Sequence, residues 1–320
     1  MASIKEVAKA AGVSITTVSY VLNDDPRIPE STANRVKEIA NEIGYLPSQA
    51  ARHLKKQSTK TILVAISDFG GPVYHELLDG IHHQLMKEGY TMIVSTGLSS
   101  SNLLKERSAD AAIVSDIHLS NEFLTKTAKN FGPIILLDRR LSSDRIHSIT
   151  LDNELAMYQL TKAALQKRNP KSVGFVHGVY NTYDNQMRYA GFLKAIHEQQ
   201  ITEHDQFFGS FTKDSGGQVF NEAIQAKHHI PDLFVCANDE MAIGLMDQAK
   251  RQGYQIPEQI GISGFDDIEL ASYVEPKLST VRIAHREWGM KAAQTALQLI
   301  QKGTVSPINQ EAKVIIRDSF

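Results

Sequence analysis

The sequence predicts an α/β fold: an N-terminal helix-turn-helix headpiece followed by a larger, two-lobed core of parallel sheets. Residues 4–23 hold two short helical patterns on either side of a glycine. From Thr61 onward, apolar runs suited to buried strands alternate with amphipathic segments, in about five strand-helix units before residue 152 and about five after it. This even division around residue 152 predicts two similar lobes.

The first two helices define the headpiece. The apolar residues of the first helix recur at i, i+3, i+4 and i+7 and make one stripe: Ile4, Val7, Ala8 and Ala11. Gly12 allows a tight turn, and Ser14 is placed to cap the second helix. Two helices joined by a short glycine-containing turn are typical of a helix-turn-helix, whose second helix is free to enter a DNA major groove.

A third helix and a hinge follow. The third helix is predicted between Pro29 and Gly44, and Pro47 then breaks the chain. Ser48 is placed to cap a short helix over residues 49–56, and a polar linker follows it. The predicted organisation is a DNA-binding domain over 1–47, a hinge helix and linker over 48–60, and a core over 61–320.

Strands and helices of the core follow one another in a regular order. The predicted buried parallel strands cover residues 62–66, 91–95, 111–114, 134–137, 146–151, 172–177, 233–237, 261–264 and 312–316. The predicted helices cover residues 74–88, 121–130, 154–168, 186–199, 215–227, 240–252 and 286–302. Such alternation is typical of parallel sheets joined by right-handed crossovers.

Composition argues against several classes of protein. Residues 1–60 carry nine Lys/Arg against six Asp/Glu in a chain of net charge −2, which weakly favours nucleic acid binding by the headpiece. The one cysteine, Cys236, lies in an apolar run and is expected to be a buried strand thiol. No secretory signal and no membrane-spanning apolar stretch is visible, so a soluble cytoplasmic protein without membrane partners is expected. The histidines show no metal-site spacing and no phosphate loop is present, so no cofactor is expected.

Several motifs together resemble the LacI/GalR family of bacterial transcription regulators, and the resemblance covers the whole chain. The motifs occupy residues 4–23, 44–54, 137–139, 152–153, 188–192, 237–242 and 264–267. The general likeness is nearest to the purine and catabolite-control members. It implies a periplasmic-binding-protein-like core with a ligand cleft between two lobes. It also implies a homodimer on double-stranded operator DNA, because one headpiece reads only half of a palindrome.

The resemblance implies DNA contacts from the second helix. Ile15, Thr16 and Tyr20 would face base edges. The short polar groups that would meet phosphates are Ser14, Thr17, Ser19 and Asn23. The alternative is that Ser14 and Thr17 are only caps and helix-surface groups. Many family members carry Arg or His where Tyr20 stands, so a different half-site is expected here.

The hinge is expected to contact the operator as well. Its predicted DNA contacts are Ala51, Leu54 and Lys55. In the family, a leucine at the position of Leu54 wedges into the minor groove and kinks the DNA. The alternative is a leucine that only packs on an amphipathic turn. Because the hinge is short and polar, it is expected to fold only on DNA, which would couple the core to operator affinity.

The effector site is expected at the carboxyl ends of the strands, where the lobes face each other. By position against the family, its contacts are Ser67, Phe69, Tyr74, Asp138, Arg139, Asp152, Tyr183, Asp184, Arg188, Phe211, Asn238 and Asp266. Carboxylates, amides and guanidinium groups suit sugar hydroxyls, and aromatic rings stack on a sugar's C–H face. Arg188 and Asp266 are the strongest candidates; the alternative is a buried salt bridge that holds the lobes together. Likewise, Phe69 and Phe211 could belong to the core, and Asn238 could be only a cap.

The effector itself stays open between a sugar, a sugar phosphate and a nucleobase, and Arg139 would meet a phosphate as well as a hydroxyl. The frequency of sugars in the family favours a mono- or oligosaccharide. Between Tyr90 and Ala111 the chain is shorter than the family pattern, and residues 99–108 leave room for two helical turns at most. This puts the usual switch of the first lobe in question. No leucine heptads end the sequence, so no tetramerising coiled coil is expected.

Two other function classes compete with a regulator. A sugar-transport binding protein shares the core, but it has no DNA-binding headpiece and carries a signal peptide. A small-molecule enzyme is allowed by the fold alone, yet Asp266 and Asp267 follow a strand without a partner base or nucleophile. The sequence therefore predicts a ligand-responsive repressor that binds a palindromic operator as a homodimer.

Overall fold

The computed structural model describes residues 2–45, 58–141, 143–226, 230–303 and 310–320. The chain divides after Thr59 into two compact units, a headpiece and a core. Within the described ranges, no helix combines the length and the apolar character that crossing a membrane requires. The predicted hinge helix over residues 49–56 lies outside the described residues and stays a prediction.

The headpiece contains three helices: α1 (Ile4–Ala11), α2 (Ile15–Val21) and α3 (Glu30–Glu42). Ser3 caps the start of α1 with a capping box. The Ser3 hydroxyl accepts from the Glu6 main-chain N–H, and the Glu6 carboxylate accepts from the Ser3 main-chain N–H. Gly12 adopts a φ of +63°, which favours glycine, so the predicted tight turn is confirmed. The helices enclose a small apolar core: Val7, Ala8, Ala11, Val18, Val21, Val36 and Ala40.

The first lobe of the core is built on five parallel strands. They are β1 (Thr61–Ile66), β2 (Thr91–Thr96), β3 (Ala111–Ser115), β4 (Ile134–Leu136) and β5 (Ile146–Ser148), between which lie helices α4 (Pro72–Lys87), α5 (Gly97–Lys105) and α6 (Asn121–Ala128). The strand order is β2-β1-β3-β4-β5. β1 is buried along its whole length, as its continuous apolar run predicts for a strand covered on both faces. The shortened segment forms α5, whose nine residues make slightly more than the two turns predicted.

The second lobe has a four-stranded parallel sheet. Its elements are α7 (Asn153–Arg168), β6 (Val173–His177), α8 (Tyr183–Glu198), β7 (Asp205–Phe208), α9 (Lys213–Gln225), β8 (Leu233–Cys236), α10 (Asp239–Arg251) and β9 (Gly261–Ser263). The strand order is β7-β6-β8-β9. Cys236 is a buried thiol in β8, as predicted.

The last strands correct the sequence prediction. After β10 (Thr280–Ile283) comes α11 (His285–Lys302), and then β11 (Ala312–Ile315). The parallel pairing expected for residues 312–316 is wrong, because β11 returns alongside β10 and pairs with it antiparallel in a separate two-stranded sheet. The second parallel sheet therefore has four strands, and β7 and β10 were not predicted.

α11 completes the first lobe although it comes late in the chain. It packs against α4, and a Cβ at Gly80 or Gly289 would collide with the backbone of the other helix. The chain therefore passes between the lobes around residues 149–152, again at Ala284, and a third time between α11 and β11. Trp288 of α11 donates its indole N–H to the carbonyl of Ile149 at 2.9 Å, which joins the first two of these crossings.

Candidate functional site

The predicted DNA-reading helix, α2, leaves its predicted base contacts accessible. Ile15 and Thr16 are exposed, and Tyr20 is half-buried one turn further along. The Ser14 hydroxyl accepts from the Thr17 main chain at 3.0 Å and lies 2.9 Å from Thr17 Oγ1. Ser14 therefore caps α2, as the sequence predicts. A contact of either hydroxyl with phosphate stays a prediction.

The other predicted phosphate contacts lie at the end of the same helix. Asn23 is exposed, and its Nδ2 donates to the Ser19 carbonyl at 2.6 Å. Three further predicted DNA contacts, Ala51, Leu54 and Lys55, lie outside the described residues. Their roles, including the minor-groove wedge, stay predictions.

Tyr20 is contacted by a residue that sequence analysis did not single out. The Arg27 guanidinium carbon lies over the Tyr20 ring, 4.8 Å from its centre. Asp25 binds the guanidinium through Nε at 2.9 Å and Nη2 at 2.6 Å. These hydrogen bonds lower the pKa of Asp25 to about 2. The only sequence signal is an Asp-x-Arg spacing after the helix, which is too common to be specific.

Both parallel sheets carry polar side chains just beyond the carboxyl ends of their strands. In the first lobe, Ser67 follows β1 and Asp138 follows β4. In the second lobe, Asn238 follows β8 and Asp266 follows β9. Open α/β sheets bind ligands at this edge. The space between the two sets of strand ends is the candidate effector cleft.

Arg188 of α8 lies at the centre of the second lobe's side of this cleft and is almost fully buried. Its Nε donates to Asn153 Oδ1 at 2.9 Å, and its Nη1 donates to the Ala237 carbonyl at 2.6 Å. Nη2 lies 3.4 Å from Asp266 Oδ1, and the guanidinium carbon lies 3.8 Å from the centre of the Phe265 ring. All these partners belong to the second lobe. The Arg188–Asp266 ion pair therefore lies within one lobe. It does not hold the two lobes together, which is what the alternative predicted.

Two carboxyl groups near Arg188 have raised pKa values. Burial raises the pKa of Asp184 to about 7; Arg188 opposes the rise, and Asp138 of the first lobe adds to it. Burial raises the pKa of Asp266 to about 6, again against Arg188. Asp184 Oδ1 also accepts from Asn153 Nδ2 at 2.8 Å. Near neutral pH these carboxyls can accept or donate hydrogen bonds, which suits ligand hydroxyls better than an anion.

Arg139 is committed to its own lobe. It forms a two-pronged pair with Asp138 at 3.0 and 2.7 Å. Its other N–H groups donate to the Leu119 carbonyl at 2.7 Å, the Asp116 carbonyl at 2.5 Å and Asn121 Oδ1 at 3.4 Å. All five N–H groups thus have protein acceptors. The predicted contact of Arg139 with a phosphate would require some of these bonds to break.

The other predicted effector residues of the first lobe differ in placement. Ser67 Oγ accepts from the Ile117 main chain at 3.1 Å. The Tyr74 hydroxyl donates to the Ser115 carbonyl at 3.2 Å, so both hydroxyls support the loop after β3. Phe69 is 71% exposed, so it does not belong to the core, and its ring is open to a partner.

In the second lobe, Asn238 caps α10 by accepting from Met241 N at 3.0 Å, and its Nδ2 donates to the Phe211 carbonyl at 2.8 Å. Asn238 is therefore a helix cap, and a contact with the effector stays a prediction. Phe211 is half-buried. Tyr183 begins α8; burial raises the pKa of its phenol, and Arg140 of the first lobe opposes the rise. Asp152 is exposed and caps α7.

A cavity of about 340 Å³ opens between the start of α4 in the first lobe and the second lobe. Its lining is mostly apolar and consists of Pro72, Lys213, Glu240, Ile243, Ile268, Glu269, Leu270 and Tyr273. None of the predicted effector residues is among them. Burial raises the pKa of Glu240, and Asp266 and Asp68 add to the rise, so this cavity adjoins the cleft.

His285, the first residue of α11, is a second residue that sequence analysis missed. Its ring is buried, and the charge of Arg188 acts on its pKa. A single histidine at a helix start carries no sequence pattern, so only the fold could place it beside the cleft.

Comparison with known proteins covers both units of the chain. A model described as bacterial regulatory proteins, lacI family, matches residues 3–48, and one described as a periplasmic binding protein-like domain matches residues 163–320. The chain is 31% identical over 311 residues to the HTH-type transcriptional repressor PurR of Aliivibrio salmonicida (strain LFI1238). That match covers 94% of this chain and 93% of the relative.

Solved structures share the fold. A lac repressor dimer bound to operator and the anti-inducer ONPF aligns with a TM-score of 0.83 at 25% identity, over 99% of this chain and 98% of that chain. A sugar-binding transcriptional regulator (LacI family) from Enterococcus faecalis aligns with a TM-score of 0.75 at 30% identity, over 82% of this chain and 97% of that chain. The likeness therefore extends to headpiece and core.

Proposed function

Because the chain belongs to the LacI family of bacterial regulatory proteins, we propose that it is a homodimeric repressor that binds a palindromic operator and responds to a hydroxyl-rich effector held between its lobes. The observation that carries the effector half is that Asp184 and Asp266 lie beside Arg188, and that Asp138 of the first lobe lies close enough to Asp184 to raise its pKa. Family membership carries the DNA half.

The dimer follows from the single headpiece. One helix-turn-helix covers half of a palindrome, so two copies related by a two-fold axis match the symmetry of the operator. The solved lac repressor that this chain resembles is a dimer on its operator, which supports the same assembly here.

A sugar is the favoured effector. Raised pKa values let Asp184 and Asp266 exchange hydrogen bonds with hydroxyls near neutral pH. The commitment of Arg139 to Asp138 and to main-chain carbonyls argues against a phosphate group at that point. The Enterococcus faecalis relative, 30% identical, is described as sugar-binding.

A purine is the second candidate. The curated relative that is 31% identical over nearly the whole chain is named PurR. The exposed ring of Phe69 offers a flat face on which a planar base could stack. The two candidates differ in chemistry, so one screen separates them.

In this proposal the cleft binds its ligand without turnover, as expected of a DNA-binding regulator. Incubation of the hit with excess protein should return the ligand unchanged. Conversion of the ligand would instead point to an enzyme.

The test is a thermal-shift screen followed by a DNA titration. The full chain is screened against ribose, cellobiose, ribose 5-phosphate and hypoxanthine, since a ligand at 100 times its Kd stabilises a protein by about 2.7 kcal/mol. Operator DNA is selected from a random library, and its affinity is measured with and without each hit. Selection of no DNA would contradict the repressor. An operator affinity that no stabilising ligand changes would contradict the effector.

A further inference from the structure

His285 is a buried polar side chain without a hydrogen bond. Only 4% of its surface is exposed, and neither ring nitrogen meets a hydrogen-bond partner among the described residues. Such groups are rare in folded proteins, because they lose their hydrogen bonds to water and gain none in return. The position therefore calls for an explanation beyond packing.

The surroundings of the ring place it at the cleft. Burial and the positive charge of Arg188 lower the pKa of His285 to about 4, against a smaller opposing effect of the Asp266 backbone. The ring is therefore neutral near pH 7, with one N–H donor and one acceptor nitrogen. The Trp288 ring, whose centre lies 6.2 Å from that of His285, already donates its N–H to the Ile149 carbonyl.

A second buried histidine shows how this fold treats a structural imidazole. His177 is 1% exposed. Its Nδ1 lies 3.2 Å from Asn185 Nδ2, and its Nε2 lies 3.2 Å from Gln206 Oε1. Its ring also stacks on Phe208 at 5.0 Å. Both nitrogens of His177 are paired inside the protein, whereas those of His285 are buried without a hydrogen-bond partner among the described residues.

We infer that His285 is an effector-binding residue that offers its N–H and its free nitrogen to hydroxyls of an uncharged polyol. This inference rests on the proposed function of the cleft. A hydroxyl both donates and accepts, so it matches a neutral imidazole. Asp184 and Asp266 lie beside Arg188, which is already paired, so an anionic group at this point would meet two carboxyls and a guanidinium that is already engaged. Uncharged polyols should therefore bind better than their phosphate esters.

The position of His285 also connects the ligand to the lobes. The residue follows β10 and begins the helix that packs on α4 of the first lobe. A ligand that touches both His285 and Asp184 therefore contacts the second lobe and the crossing at once. Such a ligand favours one relative placement of the lobes over others.

The first arm of the test needs no ligand. His285→Phe removes an unpaired polar group, so the melting temperature of the free protein should rise by about 2–4 °C. His285→Leu is the second variant, in case the larger ring does not fit. His177→Phe is the matched control and should lower the melting temperature, because it leaves Asn185 and Gln206 unpaired. A lower melting temperature in both His285 variants would overturn the inference.

The second arm measures ligand binding by the full chain. Ribose or cellobiose should stabilise the wild type more than ribose 5-phosphate does, and His285→Phe should weaken that binding by about 10-fold or more. His285→Gln, which keeps a donor and an acceptor, should recover part of the loss. Equal binding by wild type and His285→Phe would overturn the role of His285 while leaving the proposed function standing. A wild type that responds to none of the probes would overturn both.

Discussion

The Arg27 guanidinium lies over the Tyr20 ring at 4.8 Å from its centre, and Asp25 accepts hydrogen bonds from its Nε and Nη2. Tyr20 is the most distant of the three predicted base contacts from the start of α2. A contact that fixes the ring limits the number of bases its hydroxyl can meet well. We therefore predict that Arg27 positions Tyr20 for base readout, although its own side chain is largely exposed.

Arg27→Ala should broaden the base preference at the half-site position nearest Tyr20, with a loss of discrimination of about 2- to 5-fold, because a cation–π contact at an exposed site is weak. Selection from a random DNA library measures this directly. Arg27→Lys keeps a cation and should retain most of the preference. A uniform loss of affinity across all sequences would instead mark Arg27 as a phosphate contact.

Leu54→Ala should weaken operator binding by about 10-fold or more and leave effector affinity unchanged, because the apolar wedge would no longer hold a base step open. Gel-shift titration and effector titration of the same variant check both halves. Leu54→Met, which keeps an apolar side chain of similar size, should bind nearly normally. Equal operator affinity for wild type and Leu54→Ala would contradict the wedge.

Arg188→Lys should abolish the effector response. A lysine cannot reproduce the planar set of bonds to Asn153, Ala237 and Asp266. The thermal shift with the best ligand measures the loss, and operator binding by the same variant shows whether it is folded. An undiminished ligand shift would place the effector elsewhere.

The free energy of unfolding should depend on Asp184 and Asp266 between about pH 4 and pH 7. Their pKa values are raised in the folded chain, to about 7 and about 6, from 3.8. The folded chain therefore holds more protons than the unfolded one, and the contribution of both residues to stability falls as pH rises through this window. The free energy of unfolding of Asp184→Asn, measured relative to wild type, should thus be higher at about pH 8 than at about pH 4.5.

Urea unfolding of the wild type and of Asp184→Asn at both pH values checks this pH dependence. His285 works in the opposite direction, because its pKa is lowered from 6.5 to about 4 and its contribution is lost as pH falls. Relative to wild type, His285→Phe should therefore gain more stability at the acidic pH. The same pH slope in all three proteins would refute these assignments.

Gly191→Ala should destabilise the core by about 1–3 kcal/mol. A Cβ at Gly191 would collide with the Glu154 carbonyl and lie 2.8 Å from Tyr158 N, so α7 and α8 could not approach as they do. Gly217→Ala is the control, since its Cβ would lie 3.5 Å from the nearest atom, the Gly244 carbonyl. That variant should be neutral or stabilising by up to about 1 kcal/mol, the helix propensity of alanine over glycine. Equal effects of the two changes would refute the close approach.

Most of the fold follows from patterns that burial imposes on the sequence. Central strands such as β1 and β8 are almost wholly apolar and are buried along their whole length, because helices cover both faces. β7 was missed because it is an edge strand with mostly exposed side chains and begins with Asp205. β10 was missed because Arg282 interrupts its apolar run, and its pairing with β11 depends on a return of the chain that no local pattern records.

The candidate site was predictable only in part. Arg188 and Asp266 stand in the motifs at residues 188–192 and 264–267, and Asp184 was predicted by its position against the family. The hydrogen bonds of Arg139 within its own lobe could not be predicted. Its acceptors include the main-chain carbonyls of Leu119 and Asp116, which the sequence does not mark. His285 was missed for a similar reason, because its significance lies in the partners it lacks rather than in a motif.

The late arrival of α11 has a consequence for the order of synthesis. The sheet of the second lobe is complete at Ser263, but the first lobe must wait for a helix that begins at His285. Until that helix has left the ribosome, the buried face of α4, with Leu77, Ile81 and Leu85, has no cover from it. Residues 312–320 come after α11 and pack on the second lobe, where the Ser319 hydroxyl donates to the Ile262 carbonyl. We therefore expect neither lobe to close before α11 has been made, and the nascent first lobe, whose strands are translated first, to be the part of the chain that most needs a chaperone.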